Sequence, residues 1–210
     1  ELVLLKYNQI ESDFKERIVQ ECRGLILDSS NNWNVVCYPF NKFHNLFESN
    51  AVSIDWGTAR VETKLDGSMV CMAYVESLGE WNISTSGCPD GTNEVGDTGF
   101  TFSSLFTTVL AKYEFLPLFL NKSYTYIFEL TSPLNRVVVD YKESNITLIG
   151  VRDNTTFQEI DPLDEVCRVN DEMVEEFGVE SNLKIPESYP LVTVEDCIKA
   201  ASKLNPLEQE

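Results

Sequence analysis

The sequence predicts an α+β fold, mostly antiparallel sheet with a few helices. Three observations lead there. Short apolar runs, rich in β-branched and aromatic residues, follow one another to about residue 152, each stopped by Gly, Pro, Asn or Asp. Turn signals at Arg23-Gly24, Asp66-Gly67 and Leu78-Gly79 join neighbouring runs closely, which favours antiparallel pairing. Helical spacing is confined to one segment of that stretch and returns after Asp161.

Taken in order, Leu2–Tyr7 reads as a strand. "ERIVQECRGLILD" gives a strand, a turn at Arg23-Gly24 and a second strand; "WNVVCYPF" is another, stopped by Pro39. "KFHNLFES" is short and aromatic, a loop or a single helical turn. Arg60–Lys64, Ser68–Val75 and Glu80–Thr85 are expected to form a meander, and "SGCPDGTNEVGDTG" a long Gly-rich loop. "SSLFTTVLAKYEF" has helical spacing at Leu105, Phe106, Val109, Leu110 and Tyr113, with Ser103 as the candidate cap. Strands follow at Tyr124–Leu130, Val137–Tyr141 and Ile146–Arg152. Beyond Asp161 the pattern predicts two short helices over "DPLDEVCRVNDEMVEEFG". A last helix runs to about Lys203, opened by a capping-box-like Thr193 through Asp196 with Asp in place of the usual Glu.

The 210 residues suffice for one domain, or one with a small appendage, and 43% apolar residues with twelve Phe and eight Tyr suffice for its core. The charge is lopsided: 16 Lys and Arg against 34 Asp and Glu, a net −18. That argues against a surface wholly laid on nucleic acid, because phosphate binding rests on cations. It leaves room for a local basic cleft. The acid concentrates in the last third, so a cationic site is expected within the first 150 residues. The six cysteines form no Cys-x-x-Cys pair and His44 is the sole histidine, which argues against structural zinc. Several cysteines lie in strand-like runs, as buried free thiols in a reducing compartment would. No signal peptide or membrane span is visible.

Four polar interruptions could carry chemistry. In "VETKLDGSMV", Lys64 precedes a glycine turn. A lysine amine becomes a nucleophile when deprotonated, and Gly67 lets backbone approach a phosphate closely. Taken alone, Lys-Leu-Asp-Gly-Ser reads first as an exposed hairpin turn. In "ECRGLILD", Arg23 suits bidentate contact with phosphate, or is a surface arginine. In "YPFNKFHN", Lys42 sits among aromatics, where it could simply snorkel over core rings. In "YIFELTSPLNRVV", Glu129 interrupts an apolar strand on the Ile127 face, opposite Phe128, and needs solvent or a partner there. Asn135-Arg136 adds a polar cluster at the next turn.

Jointly and in this order, "ECRG", "YPFNKF", "KLDGS", "YIFELTSPLNRVV" and "LIGVRD" resemble the covalent nucleotidyltransferases, and within them the T-even phage-type RNA ligase 1 family, enzymes that repair cleaved tRNA. The resemblance covers residues 2 to 152 well and the rest weakly. It implies the ATP-dependent ligase adenylation fold over 1–210, antiparallel sheets flanked by helices, with the nucleotide in the groove between them and an acidic helical portion over 161–210. It implies that Lys64 takes AMP from ATP as a phosphoramidate. Arg23 and Lys42 would lie near the phosphates and nucleotide, Glu129 at the ribose hydroxyls, and Tyr7 in the nucleotide pocket. It further implies Mg²⁺ or Mn²⁺, an RNA partner (tRNA) with 5′-phosphate and 3′-hydroxyl ends, a monomer, and the cytoplasm, of a host cell if the protein is viral.

The sequence departs from the family at "STSGC", where Ser86 replaces a lysine that precedes a glycine near a phosphate. The family's Glu-Gly element by the metal would begin at Glu210, and its Lys-x-Lys strand is absent, so the chain is expected to be a core truncated at its C-terminus. Three alternatives remain open: a DNA ligase, a GTP-using capping enzyme, or a non-catalytic nucleotide-binding module on the same fold.

Overall fold

A computed structural model describes residues 1–113 and 116–205. Its elements run β1 (Leu2–Lys6), α1 (Arg17–Glu21), β2 (Arg23–Asp28), β3 (Asn34–Cys37), β4 (Val61–Glu62), β5 (Ser68–Val75), β6 (Glu80–Thr85), α2 (Phe102–Leu110), α3 (Leu116–Phe119) and β7 (Tyr124–Thr131). A 3-10 turn (Pro133–Asn135), β8 (Asn145–Asp153), β9 (Glu159–Ile160), α4 (Pro162–Phe177), β10 (Ser188–Tyr189) and α5 (Val194–Ala201) complete the chain. The strands form a five-stranded sheet β6-β5-β7-β8-β9, a three-stranded sheet β1-β2-β3 and a two-stranded ribbon β10-β4. Every strand pair is antiparallel, and the α+β expectation holds.

Strand alternation explains why one sheet serves two cores. On β5 and β7, Val70, Met72, Tyr126, Phe128 and Leu130 turn to one face, where α2 and α4 bring Phe106, Val109, Val169 and Met173. Cys71, Ala73, Val75 and Ile127 turn to the other face and meet Ile26, Val36 and Cys37 of the small sheet. Each fully buried ring or branched chain of this kind contributes about 1.5–3 kcal/mol. Glu129 shares the Ile127 face, so the strand delivers its carboxylate into the gap between the two sheets.

Several expectations need correction. Residues Arg17–Glu21 form a helical turn rather than a strand. α2 is capped by Thr101, two residues before the expected Ser103, through a reciprocal box with Ser104. Val137–Tyr141 alternates like a strand yet joins no sheet, because two of its amides are bound elsewhere. α4 is one helix, not two. Asp161 caps it, Pro162 occupies its first turn, and Gly178 ends it at φ +70°. Asn170 inside it does not break it; its side chain accepts from the amide and hydroxyl of Ser181 in the following loop. Thr193 caps α5 as expected, accepting from the Asp196 amide. Cys37 and Cys71 are buried free thiols, whereas Cys167 is exposed.

The largest departure concerns the strand that leads to Lys64. The predicted meander would pair it with β5. Instead β4 pairs with β10, with Val61 opposite Tyr189 and Glu62 opposite Ser188, and the Thr63 amide donates to the Glu187 carbonyl at 2.9 Å. The acidic C-terminal portion is therefore no appendage: it supplies the partner of the lysine strand. Lys64-Leu65-Asp66-Gly67 is consequently a bridge between two sheets, not a hairpin turn.

Candidate functional site

A cavity of about 860 Å³ opens where the three- and five-stranded sheets diverge. Arg23 of β2 and the aromatic pair Phe40 and Phe43 form one side. The segment from Arg60 to Gly67, with Met69, forms the floor. Glu129 of β7, Ile149 to Val151 of β8, and Glu159 to Pro162 at the head of α4 form the far side. Its cations, Arg23, Arg60 and Lys64, all come from the first 64 residues, where the charge distribution placed them.

The Lys64 turn is held by contacts from three directions. The Gly67 amide donates to Glu129 Oε1 at 3.0 Å. Asp66, only 6% exposed, accepts at one oxygen from the amides of Val138 (2.5 Å) and Val139 (2.7 Å), and its own amide donates to Tyr141 Oη. Asn135 Nδ2 donates to Ser68 Oγ at 2.8 Å. Residues 135–141 are thereby fastened to residues 66–68, and Val137 becomes cavity wall. Gly67 packs so closely on β7 that a Cβ there would stand 2.4 Å from the Leu130 carbonyl oxygen, so only glycine fits.

Glu129 is mostly buried. Desolvation dominates and pushes its carboxyl up to about 7; the Gly67 amide, Lys64 and Arg23 pull it down, while Asp66 pushes it up. Strongly displaced acids in clefts mark sites of function. Arg23 is held in place by the Asn41 carbonyl at 3.3 Å and by the Phe43 ring, 4.8 Å from its guanidinium carbon. Phe40 fixes that ring in turn, 5.1 Å away, and leans on Gly150, where a Cβ would collide with it at 2.3 Å. At the opposite end, Arg60 joins the wall to α4 through a 2.5 Å bond to Asp161.

The structure thus brings Lys64, Arg23 and Glu129 to one cavity. Among the described residues Tyr7 and Lys42 lie outside its wall and beside each other: Lys42 Nζ is 5.7 Å from the Tyr7 ring centre and 4.7 Å from that of Phe14. Glu210 lies outside the described residues. Sequence reasoning missed Arg60, Phe43 and the roles of Asp66 and Asp161. Only Asp66 had a visible signal, its place two residues after Lys64.

Antiparallel sheets flanked by helices enclose a lysine, an arginine and a raised glutamate over a glycine bridge in one cleft. The chain belongs to the RNA ligase family, of the T-even phage RNA ligase 1 type: residues 21–209 match the family's sequence model. It is similar to an RNA ligase of Rhodothermus phage RM378, 33% identical over 221 residues, covering 89% of this chain and 49% of that one. It is also similar to a protein of Autographa californica nuclear polyhedrosis virus named for polynucleotide kinase and RNA ligase together, 29% identical over 237 residues, covering all of this chain and 30% of that one. The chain thus spans about half or less of these relatives' length. Among solved structures, a Naegleria gruberi RNA ligase with ATP and Mn overlaps 67% of this chain and 39% of its own, at 14% identity and a TM-score of 0.47.

Proposed function

We propose that this chain is the catalytic core of an ATP-dependent RNA ligase acting through a lysyl-AMP intermediate. The observation that carries the reading is the shared cavity of Lys64, Arg23 and Glu129 in a chain of this family. In the first step the deprotonated Lys64 amine attacks the α-phosphorus of ATP, an N–P bond forms, and the bond to pyrophosphate breaks. The protein's part is positioning and charge neutralisation. The fastened turn fixes the direction of Lys64, Arg23 offers a guanidinium fork to phosphate oxygens, and Glu129 accepts from a ribose hydroxyl. The AMP then passes to an RNA 5′-phosphate, and a 3′-hydroxyl displaces it. A tRNA with such ends fits the reading, with Arg23, Arg60 and Lys64 the cations the cavity offers to phosphate.

Among the described residues no three His, Cys, Asp or Glu side chains gather into a metal cage. An ion such as Mg²⁺ or Mn²⁺ would be held chiefly by the nucleotide's phosphates and water. Such an ion would supply charge neutralisation on the phosphate oxygens.

The test is incubation of the chain, and of its full-length parent, with labelled ATP and divalent metal. An acid-labile AMP adduct on Lys64, lost in Lys64→Ala, is the expected result. Unlabelled parent protein, or label that survives the substitution, would refute the reading.

A further inference from the structure

Lys64 stands between two clamps. The clamp after it, from Asp66 to Ser68, is made by β7 and by residues 135–141. The clamp before it comes from a strap at residues 183–189. Leu183 is buried, Ile185 packs on the main core, and the Leu148 amide of β8 donates to the Lys184 carbonyl at 2.8 Å. Pro186 then lines the cavity, and β10 pairs with β4. Among the described residues β10 is the one strand that β4 pairs with.

Thr63, the residue before Lys64, is held twice. Its amide donates to the Glu187 carbonyl at 2.9 Å. Its hydroxyl lies 3.2 Å from the Tyr189 hydroxyl, which donates to Glu187 Oε2 at 3.0 Å. A phenol has one proton to give. With that proton on the carboxylate, the Thr63 hydroxyl is the donor to Tyr189, and the chain runs from Thr63 through Tyr189 to Glu187. A phenylalanine ring would serve equally opposite Val61. The phenol oxygen adds the hold on Thr63.

We propose that Tyr189 is a positioning residue for Lys64, acting through the Thr63 hydroxyl. This rests on the ligase reading and deepens it: the acidic C-terminal portion aims the nucleophile of the first step. A lysine amine stands about 6 Å from its Cα, so a turn of about 10° there moves it by about 1 Å. A displacement of that size at a reacting atom can cost about 10²-fold in rate. Lys64 and Leu65 alone separate the two clamps, so freedom given to Thr63 passes to the Lys64 Cα.

The experiment follows AMP transfer from labelled ATP to Lys64 in the full-length parent, for wild type, Tyr189→Phe, Thr63→Val and the double variant. Each single variant is expected to lower the rate at saturating ATP about tenfold, with the half-saturating ATP concentration within about twofold of wild type. The double variant is expected to lose no more than either single one, because both break one chain. Thr63→Ser, which keeps the hydroxyl, is expected to recover most of the rate that Thr63→Val loses. Wild-type rate in Tyr189→Phe overturns the proposal. So does a raised half-saturating concentration with the rate intact, or a double variant whose losses multiply. Amide hydrogen exchange at Thr63, measured in parallel, judges the hold apart from the chemistry, and is expected to quicken about three- to tenfold in Tyr189→Phe. Unlabelled wild type with quickened exchange in Tyr189→Phe removes only the ligase reading and keeps the hold on the Lys64 strand. Unchanged exchange removes the hold, whatever the label shows.

Discussion

Replacing Glu129 by glutamine removes a titrating group while keeping an acceptor for the Gly67 amide, 3.0 Å away in the wild type. Burial raises this carboxyl from 4.5 to about 7. Between those pH values the folded protein holds a proton that the unfolded chain has released, so stability falls as pH rises. At about 1.4 kcal/mol per pH unit over that interval, the charged carboxylate costs the fold about 3 kcal/mol once the pH is well above 7. Glu129→Gln is therefore expected to match the wild type near pH 4.5 and to exceed it by about 3 kcal/mol near pH 8.5, read from urea unfolding at both pH values. A variant no more stable than wild type at pH 8.5, or a difference that does not change with pH, would refute the reasoning. The site thus keeps an ionisable group where the fold would prefer a neutral one.

Two other substitutions probe the Lys64 bridge. Asp66→Ala strips the partner from the Val138 and Val139 amides and is expected to destabilise by about 2–4 kcal/mol in chemical denaturation, with Asp66→Asn, which keeps an acceptor, recovering part of it. Gly67→Ala forces β7 and the bridge apart, since its Cβ would meet the Leu130 carbonyl at 2.4 Å. A loss of about 1–3 kcal/mol by thermal unfolding is expected, together with loss of nucleotide labelling at Lys64; an alanine variant that melts like wild type would show the contact to be soft.

The central strands were legible because burial on both faces writes a continuous apolar signal. Ser68–Val75 and Glu80–Thr85 lie where the sequence put them, with the turn at Leu78-Gly79 closing on the Val75 carbonyl. Glu129 was legible for a related reason: a carboxylate inside such a run is costly without a role. The lysine strand was not legible as paired, because its partner at Ser188–Tyr189 lies far along the chain and two residues of ladder leave no local pattern. Val137–Tyr141 misled because alternation reports exposure of side chains, while Asp66 decides where the amides go. The short helix at Arg17–Glu21 misled because Ile18 and Val19 favour strands, and tertiary context overrides so brief a preference.

The pairing of β4 with β10 also sets an order of events during synthesis. Thr63 and Tyr189, whose hydroxyls meet at 3.2 Å, are 126 residues apart. A ribosome adding about 5–20 residues per second takes roughly 6–25 s to travel between them. Throughout that interval the nascent polypeptide carries the Lys64 segment on an edge with no ladder to hold it. The cleft gains its final geometry only when this later segment folds back onto it.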